Sequence, residues 1–142
     1  MRITIFLLFM PVMSLTAVGQ EFWSHRIGIQ TDVPYGDDPA QVVDIYTQGH
    51  RPAIDPGFEL QPVSESRPTL VWIHGGGLHS GDKSKITEVA GRFVAEGIGV
   101  VSANYRLYPE AIYPVQIEDV ADAFAWVHRN IAKRGGDPEK LF

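Results

Sequence analysis

Residues 69–81 read TLVWIHGGGLHSG, and the fold is decided there. Thr69 to Ile73 is a continuous apolar run rather than an alternating one, the pattern of a strand covered on both faces and hence of the centre of a sheet. It stops at His74, which is followed by Gly75, Gly76 and Gly77, then by a second histidine, His79. Glycine loses more conformational entropy on folding than any other residue, so three in succession are costly unless something must come close to the backbone.

Working outward from this stretch, the apolar residues Ile86, Val89, Ala90, Phe93 and Val94 fall at i, i+3, i+4, i+7 and i+8. That spacing makes one face of a helix, which should end near Gly97. Ile98 to Ala103 (IGVVSA) is a second continuous β-rich run, so strand, helix and strand follow in order, as in a parallel pair with a crossover helix. Pro114 opens a longer helical segment with a stripe of Ile117, Val120, Ala121, Phe124, Val127 and Ile131. Glu118 and Asp119 near its start and Lys133 and Arg134 near its end complement the helix dipole, and Gly135 stands at the expected stop. Gly135 to Pro138 then reads as a turn, and Leu141-Phe142 as the first step of another buried strand. Before the central run, Arg26 to Thr31 and Val42 to Thr47 read as two strands joined by a loop over Asp32 to Pro39. Gly49 to Pro68, with recurring prolines and glycines, reads as a surface connection.

Alternating strands and helices predict an α/β fold, a central mostly parallel sheet with helices on both faces, which places ligands at the carboxyl ends of its strands. His74 to Gly77 sits at such an end. Three mechanisms put glycines there. A phosphate-binding loop requires G-x-x-x-x-G-K-[ST]; Gly76 and Gly81 have the spacing, but Asp82 takes the lysine position and would set a carboxylate against phosphate. The dinucleotide fingerprint fails because Ser80 stands where its third glycine belongs. A plain tight turn leaves the cost of three glycines unexplained. Bared backbone N–H groups that meet a developing negative oxygen, an oxyanion hole, account for it.

His74-Gly75-Gly76-Gly77 after a hydrophobic strand, with Asn104-Tyr105-Arg106-Leu107 and Pro109-Glu110 further on, resembles the α/β-hydrolase superfamily, within it the carboxylesterases similar to hormone-sensitive lipase. Tyr35 to Gln48 is similar to the start of secreted esterase domains, some resembling feruloyl and acetyl-xylan esterases. The resemblance implies that residues 20–142 are part of an α/β-hydrolase domain. It implies that the N–H groups of Gly76 and Gly77 are oxyanion donors, that Gly75 belongs to the same loop, and that His74 supports the loop rather than acting as the base. His79 reads as a surface or pocket-rim residue. Tyr105 either lines a substrate pocket or packs beneath the loop. Arg106 is expected to pair with Asp119 or another carboxylate, and Asp119, which precedes any nucleophile in chain order, is not the triad acid.

The family's nucleophile elbow, G-x-S-x-G, does not occur in these 142 residues; Ser80 lacks the glycine two places before it. The elbow, acid and base are therefore expected after Leu141-Phe142, making this the front half of a serine esterase. By the family's strand order the Thr69–Ile73 run lies between Ile98–Ala103 and the elbow strand, which predicts an exposed hydrophobic edge, poor solubility of residues 20–142 alone, and no ester turnover by them. The alternative is a non-catalytic binding protein or an inactive remnant on a hydrolase scaffold. Substrates implied by resemblance are small-molecule or polysaccharide-linked esters.

Residues 1–19 carry Arg2, an apolar run from Ile3 to Met13 broken by Thr4 and Pro11, and then Ala17-Val18-Gly19. This is a signal-peptide pattern with cleavage after Gly19, which predicts a secreted or periplasmic protein. The run is too short and interrupted for a stable membrane span. There is no cysteine, so the mature protein carries no disulfide. A net charge of -5 and a pI near 5.4, without a basic cluster, argue against nucleic acid. No metal is expected, since the histidines and carboxylates lack ligand spacing such as H-E-x-x-H, and no cofactor is implied.

Overall fold

The computed structural model describes residues 27–48 and 67–142. Within them lie five strands: β1 (Ile27–Pro34), β2 (Val42–Gln48), β3 (Arg67–Ile73), β4 (Gly99–Ala103) and β5 (Gly136–Leu141). Two α-helices, α1 (Thr87–Ala95) and α2 (Val115–Asn130), carry short 3-10 turns at Lys83–Ile86 before α1 and Ile131–Arg134 after α2. The expected signal segment, Arg26 and most of the predicted surface connection lie outside the described residues.

The strands form one sheet in the order β1-β2-β4-β3-β5. β1 with β2 and β2 with β4 are antiparallel, whereas β4 with β3 and β3 with β5 are parallel. The central run is thus flanked by parallel neighbours on both sides, as its unbroken apolar character requires. Successive residues of a strand face opposite sides of the sheet, and each side has its own core. Val43, Ile45, Val101 and Ala103 pack against Ala123, Val127 and Ile131 from the α2 side. Tyr46 and Val100 pack against Ile86, Ala90 and Val94 from the α1 side.

Three details of the sheet depart from the sequence expectation. β1 continues through Asp32 to Pro34, with a register irregularity between Gln30 and Val33. Asp32 sits at φ 54, a conformation that Asp tolerates better than most residues, and its N–H donates to the Asp44 Oδ1 at 2.9 Å instead of to the ladder. β5 begins at Gly136, inside the expected turn. It pairs at its ends, Arg67 with Gly136 and Thr69 with Leu141, with a register shift between; the turn survives as a bulge in which the Glu139 N–H donates to the Asp137 Oδ1. The expected bare edge of β3 is therefore covered from Arg67 to Val71, whose N–H donates to the Phe142 carbonyl at 2.7 Å, while Trp72 and Ile73 have no strand partner on that side among the described residues.

The helices bury narrower faces than their apolar stripes suggested. Val89 and Phe93 of α1 are exposed, as are Ile117 and Phe124 of α2. α2 is turned so that Gln116, Asp119, Ala123 and Val127 face inward. Polar burial of this kind is sustainable only with hydrogen-bond partners. Asp119 has four donors in Gln41 and Arg106, and Gln116 donates to the Ala111 carbonyl at 2.8 Å. Gly135, at φ 80, ends the helical segment where the sequence placed its stop.

Candidate active site at the glycine loop

Ile73 of β3 is in register with Ala103 of β4, so His74 and Asn104 leave the sheet side by side at the carboxyl ends of two parallel strands. His74 is buried, and its ring stacks on Tyr105 with centroids 4.5 Å apart and planes 14° apart. The Tyr105 hydroxyl donates to the His74 carbonyl at 2.9 Å. Burial raises the Tyr105 pKa, which keeps the hydroxyl a donor. The His74 Nδ1 lies 3.0 Å from the Gly75 carbonyl; a carbonyl only accepts, so this contact fixes the tautomer with hydrogen on Nδ1. Its Nε2 is buried without a partner among the described residues. Tyr105 packs beneath the loop and also forms part of the wall of the cleft beside it.

The loop then folds on itself. The His79 and Ser80 N–H groups both donate to the Gly76 carbonyl at 3.2 Å, and the Leu78 carbonyl accepts from the Tyr108 N–H at 2.9 Å. Gly76 (φ 135), Gly77 (φ 63) and Leu78 (φ 66) all occupy positive φ, and for a bulky residue such as leucine that is a strained conformation. A β-carbon on Gly76 would sit 1.8 Å from the Ser80 carbonyl oxygen, and one on Gly81 2.1 Å from the His74 Nδ1. Gly75 and Gly77 face open space. The three glycines are exposed, and the N–H groups of Gly76 and Gly77 donate to no acceptor among the described residues. His79 is exposed and lies against the Tyr108 ring, centroids 4.7 Å apart.

Around the loop lies a supporting set of polar residues. Arg106 grips Asp119 with its Nε, Nη2 and backbone N–H at 2.9, 2.6 and 3.0 Å, the pairing expected from sequence. Burial works against the Asp119 charge, but the hydrogen bonds from Arg106 and Gln41 outweigh it and hold the carboxyl below its usual range. With its carboxylate fully engaged and buried, Asp119 is a structural anion. A cleft of about 290 Å³ opens between the β1–β2 loop and the loop after β4, with His74, Gly81, Asn104 and Arg106 in its wall.

Sequence reasoning missed four residues here: Gly81, Asp82, Lys83 and Asn104. The Asn104 Nδ2 donates to the Asp82 Oδ2 at 2.9 Å and its Oδ1 accepts from the Lys83 N–H at 2.7 Å. The Lys83 ammonium is buried between Asp32 and Asp44, 2.8 Å from each. Hydrogen bonds from Ser84 and Asn104 pull the Asp82 pKa down to about 2. Two of them had a visible signal: Gly81 as a fourth glycine closing the same stretch, and Asn104 as the first residue of the Asn104-Tyr105-Arg106-Leu107 motif, though neither revealed its contacts.

This sheet, with a glycine loop at the end of its central strand, is the α/β-hydrolase fold. It superposes on esterase B from Lactobacillus rhamnosis with a TM-score of 0.63 and 24% identity, over 86% of this chain and 38% of that one. The family model described as BD-FAE matches residues 60–142, more than half of the chain, and the chain belongs to that family. Among curated relatives it is 35% identical over 105 residues to esterase LipC of Mycobacterium tuberculosis, covering 74% of this chain and 24% of that protein. It is 33% identical over 122 residues to phenmedipham hydrolase of Pseudarthrobacter oxydans, covering 81% and 22%. The chain thus spans about a quarter of the length of the curated relatives it matches.

Proposed function

We propose that the protein to which this chain belongs is an exported serine esterase that hydrolyses carboxylic esters by acyl transfer to water. Gly76 and Gly77 supply two N–H donors to the tetrahedral oxyanion, Gly75 keeps the approach to them clear, and His74 and Tyr105 brace the loop from below. The nucleophile, acid and base come from residues outside these 142, and small or polysaccharide-linked esters are the substrates. The observation that carries the reading is that Gly76 and Gly77 are exposed, at the carboxyl end of a parallel strand, with N–H groups that meet no acceptor among the described residues. Donors held in place beforehand at such a position each contribute about 3–4 kcal/mol of transition-state stabilisation. Relatives named esterase and carboxylesterase support the reaction class, and the leader pattern of residues 1–19 supports export.

The test is the protein produced from its natural gene and recovered from outside the cytoplasm. It should hydrolyse a p-nitrophenyl ester and be phosphonylated once per molecule by an aryl phosphonate, with loss of turnover. A secreted protein with neither turnover nor phosphonylation would instead be a non-catalytic member of the fold.

A further inference from the structure

Every polar group of Asn104 is engaged, and each reaches a different part of the chain. Its backbone N–H donates to the Val42 carbonyl of β2 at 3.0 Å, and its carbonyl accepts from the Tyr35 hydroxyl at 2.8 Å. Its side chain holds the Lys83 N–H at 2.7 Å and the Asp82 carboxylate at 2.9 Å. Asp82 in turn accepts from the Ser84 N–H at 2.8 Å. The backbone bonds fix Asn104 to the sheet and to the β1–β2 loop. The side-chain bonds fix the two residues that follow Gly81.

We infer that Asn104 is a positioning residue for the oxyanion loop, acting as a clamp on its returning end. This rests on the proposed role of Gly76 and Gly77. The outgoing end of the loop is held by Tyr105 through His74. Between the two ends the described backbone bonds are few: the pair accepted by the Gly76 carbonyl, and the one from Tyr108 to Leu78. Such a short set does not by itself hold Leu78 at positive φ, which for a residue other than glycine persists only where the surroundings over-determine it, nor does it fix Gly76 and Gly77, which have wide backbone freedom. The two ends also touch. Gly81 lies against the His74 ring and the Gly75 carbonyl so closely that no β-carbon fits between them. Movement of Asp82 and Lys83 is therefore passed through Gly81 to His74 and Gly75, and from there to the two donors. A donor misplaced by about 1 Å can lower the chemical step about a hundredfold without affecting how substrate is first held.

The side-chain pair can be exchanged without losing a bond. A carboxylate at position 104 accepts from the Lys83 N–H and from an amide at position 82, whose oxygen still accepts from Ser84. The experiment compares Asn104→Asp, Asp82→Asn and the double exchange in the protein from its natural gene. Two readouts are used: amide hydrogen exchange at His79 and Ser80, and kcat and KM on a p-nitrophenyl ester. Asn104→Asp sets two carboxylates against each other. Its His79 and Ser80 amides should exchange at least about tenfold faster, and kcat should fall about tenfold to a hundredfold with KM nearly constant. The double exchange should restore both to within about threefold of wild type. An Asn104→Asp protein with wild-type exchange and kcat overturns the inference. So does a double exchange that restores neither, whether its loop stays open or it fails to fold. Hydrogen exchange needs no turnover, so an inactive wild type would defeat the proposed esterase function while the clamp was still being read.

Discussion

The Tyr105 ring lies flat against the His74 ring, 4.5 Å between centroids, while its hydroxyl holds the His74 carbonyl at 2.9 Å. One side chain thus supports both the ring and the backbone of the residue that starts the glycine loop. Tyr105→Phe keeps the stack and removes the bond, and should cost about 1 kcal/mol of unfolding free energy. Tyr105→Leu also removes the ring contact, and should cost a further 0.5–1.5 kcal/mol or so. Urea unfolding of the two variants beside wild type measures the increments; equal losses would show that the hydroxyl contributes everything.

The glycines of the loop are not equivalent. Gly76 is at φ 135 with the Ser80 carbonyl where its β-carbon would be, whereas Gly75 has open space and needs no positive φ. Gly76→Ala should lower stability by at least about 1–3 kcal/mol, because the clash with the Ser80 carbonyl adds to the backbone strain. Gly75→Ala should stay within about 0.5 kcal/mol of wild type. If Gly75→Ala nevertheless lowers turnover, its added methyl group obstructs substrate rather than the fold. Thermal melts paired with ester hydrolysis separate the two effects.

How much of this was legible in the sequence depended on how local the deciding contacts were. The strand before His74, the crossover through α1 and the stop at Gly135 are governed by runs and spacings within a few residues, and they stand in the structure. The inward face of α2 was not legible. Ile117 and Phe124 outweigh Gln116 and Asp119 on any count of apolar residues, yet Asp119 is buried because Gln41 and Arg106, far away in sequence, satisfy it. The role of Asn104 was hidden for the same reason. Its side-chain partners lie at positions 82 and 83 and its backbone partners at 35 and 42, so the motif Asn104-Tyr105-Arg106-Leu107 marks the residue but not what it holds. The glycines announced that something approaches their backbone, but only the folded loop separates Gly76 and Gly81, which it requires, from Gly75, which it does not.

Lys83 offers a test of the outer hairpin. Its ammonium, 9% exposed, bridges Asp32 and Asp44, and Asp44 is the buried partner at 5%. Lys83→Met would leave the Asp44 charge buried without its cation, a loss of about 3–5 kcal/mol in pairs of this kind. Burial works against the Lys83 charge, but the hydrogen bonds to Asp32 and Asp44 outweigh it and raise its pKa. A raised folded-state pKa means that the contribution is complete below the ordinary lysine value near 10.5 and is lost as pH climbs through the higher folded value. Tyr35 and Tyr105, whose pKa values burial also raises, cost stability in the same range in both proteins, so the difference between wild type and Lys83→Met isolates the bridge: it should be constant up to about pH 10.5 and shrink above it. Melting temperatures from pH 7 to 12 decide it; parallel curves for the two proteins would mean that the bridge contributes nothing in solution.

At the other end of the pH scale the sensitive group is Asp82. Hydrogen bonds from Ser84 and Asn104 hold its carboxyl at about 2, against an ordinary value of 3.8. A depressed folded-state pKa has the opposite sign: the contribution is complete above the ordinary value and disappears as pH falls through the folded one. The window therefore runs from just above pH 4 down to pH 2. Asp119, also held low by its partners, titrates in the acid range as well, so acid destabilisation of wild type alone does not isolate Asp82. The difference between wild type and Asp82→Asn does, because Asp119 is common to both. That difference in melting temperature should be constant from pH 7 to about 5 and shrink through the window to a small remainder near pH 2, where Asp82 is half protonated in the folded state and so offers Ser84 and Asn104 two acceptor oxygens only part of the time. A difference that stays constant down to pH 2 would show that the charge of Asp82 is not what ties the glycine loop to Asn104.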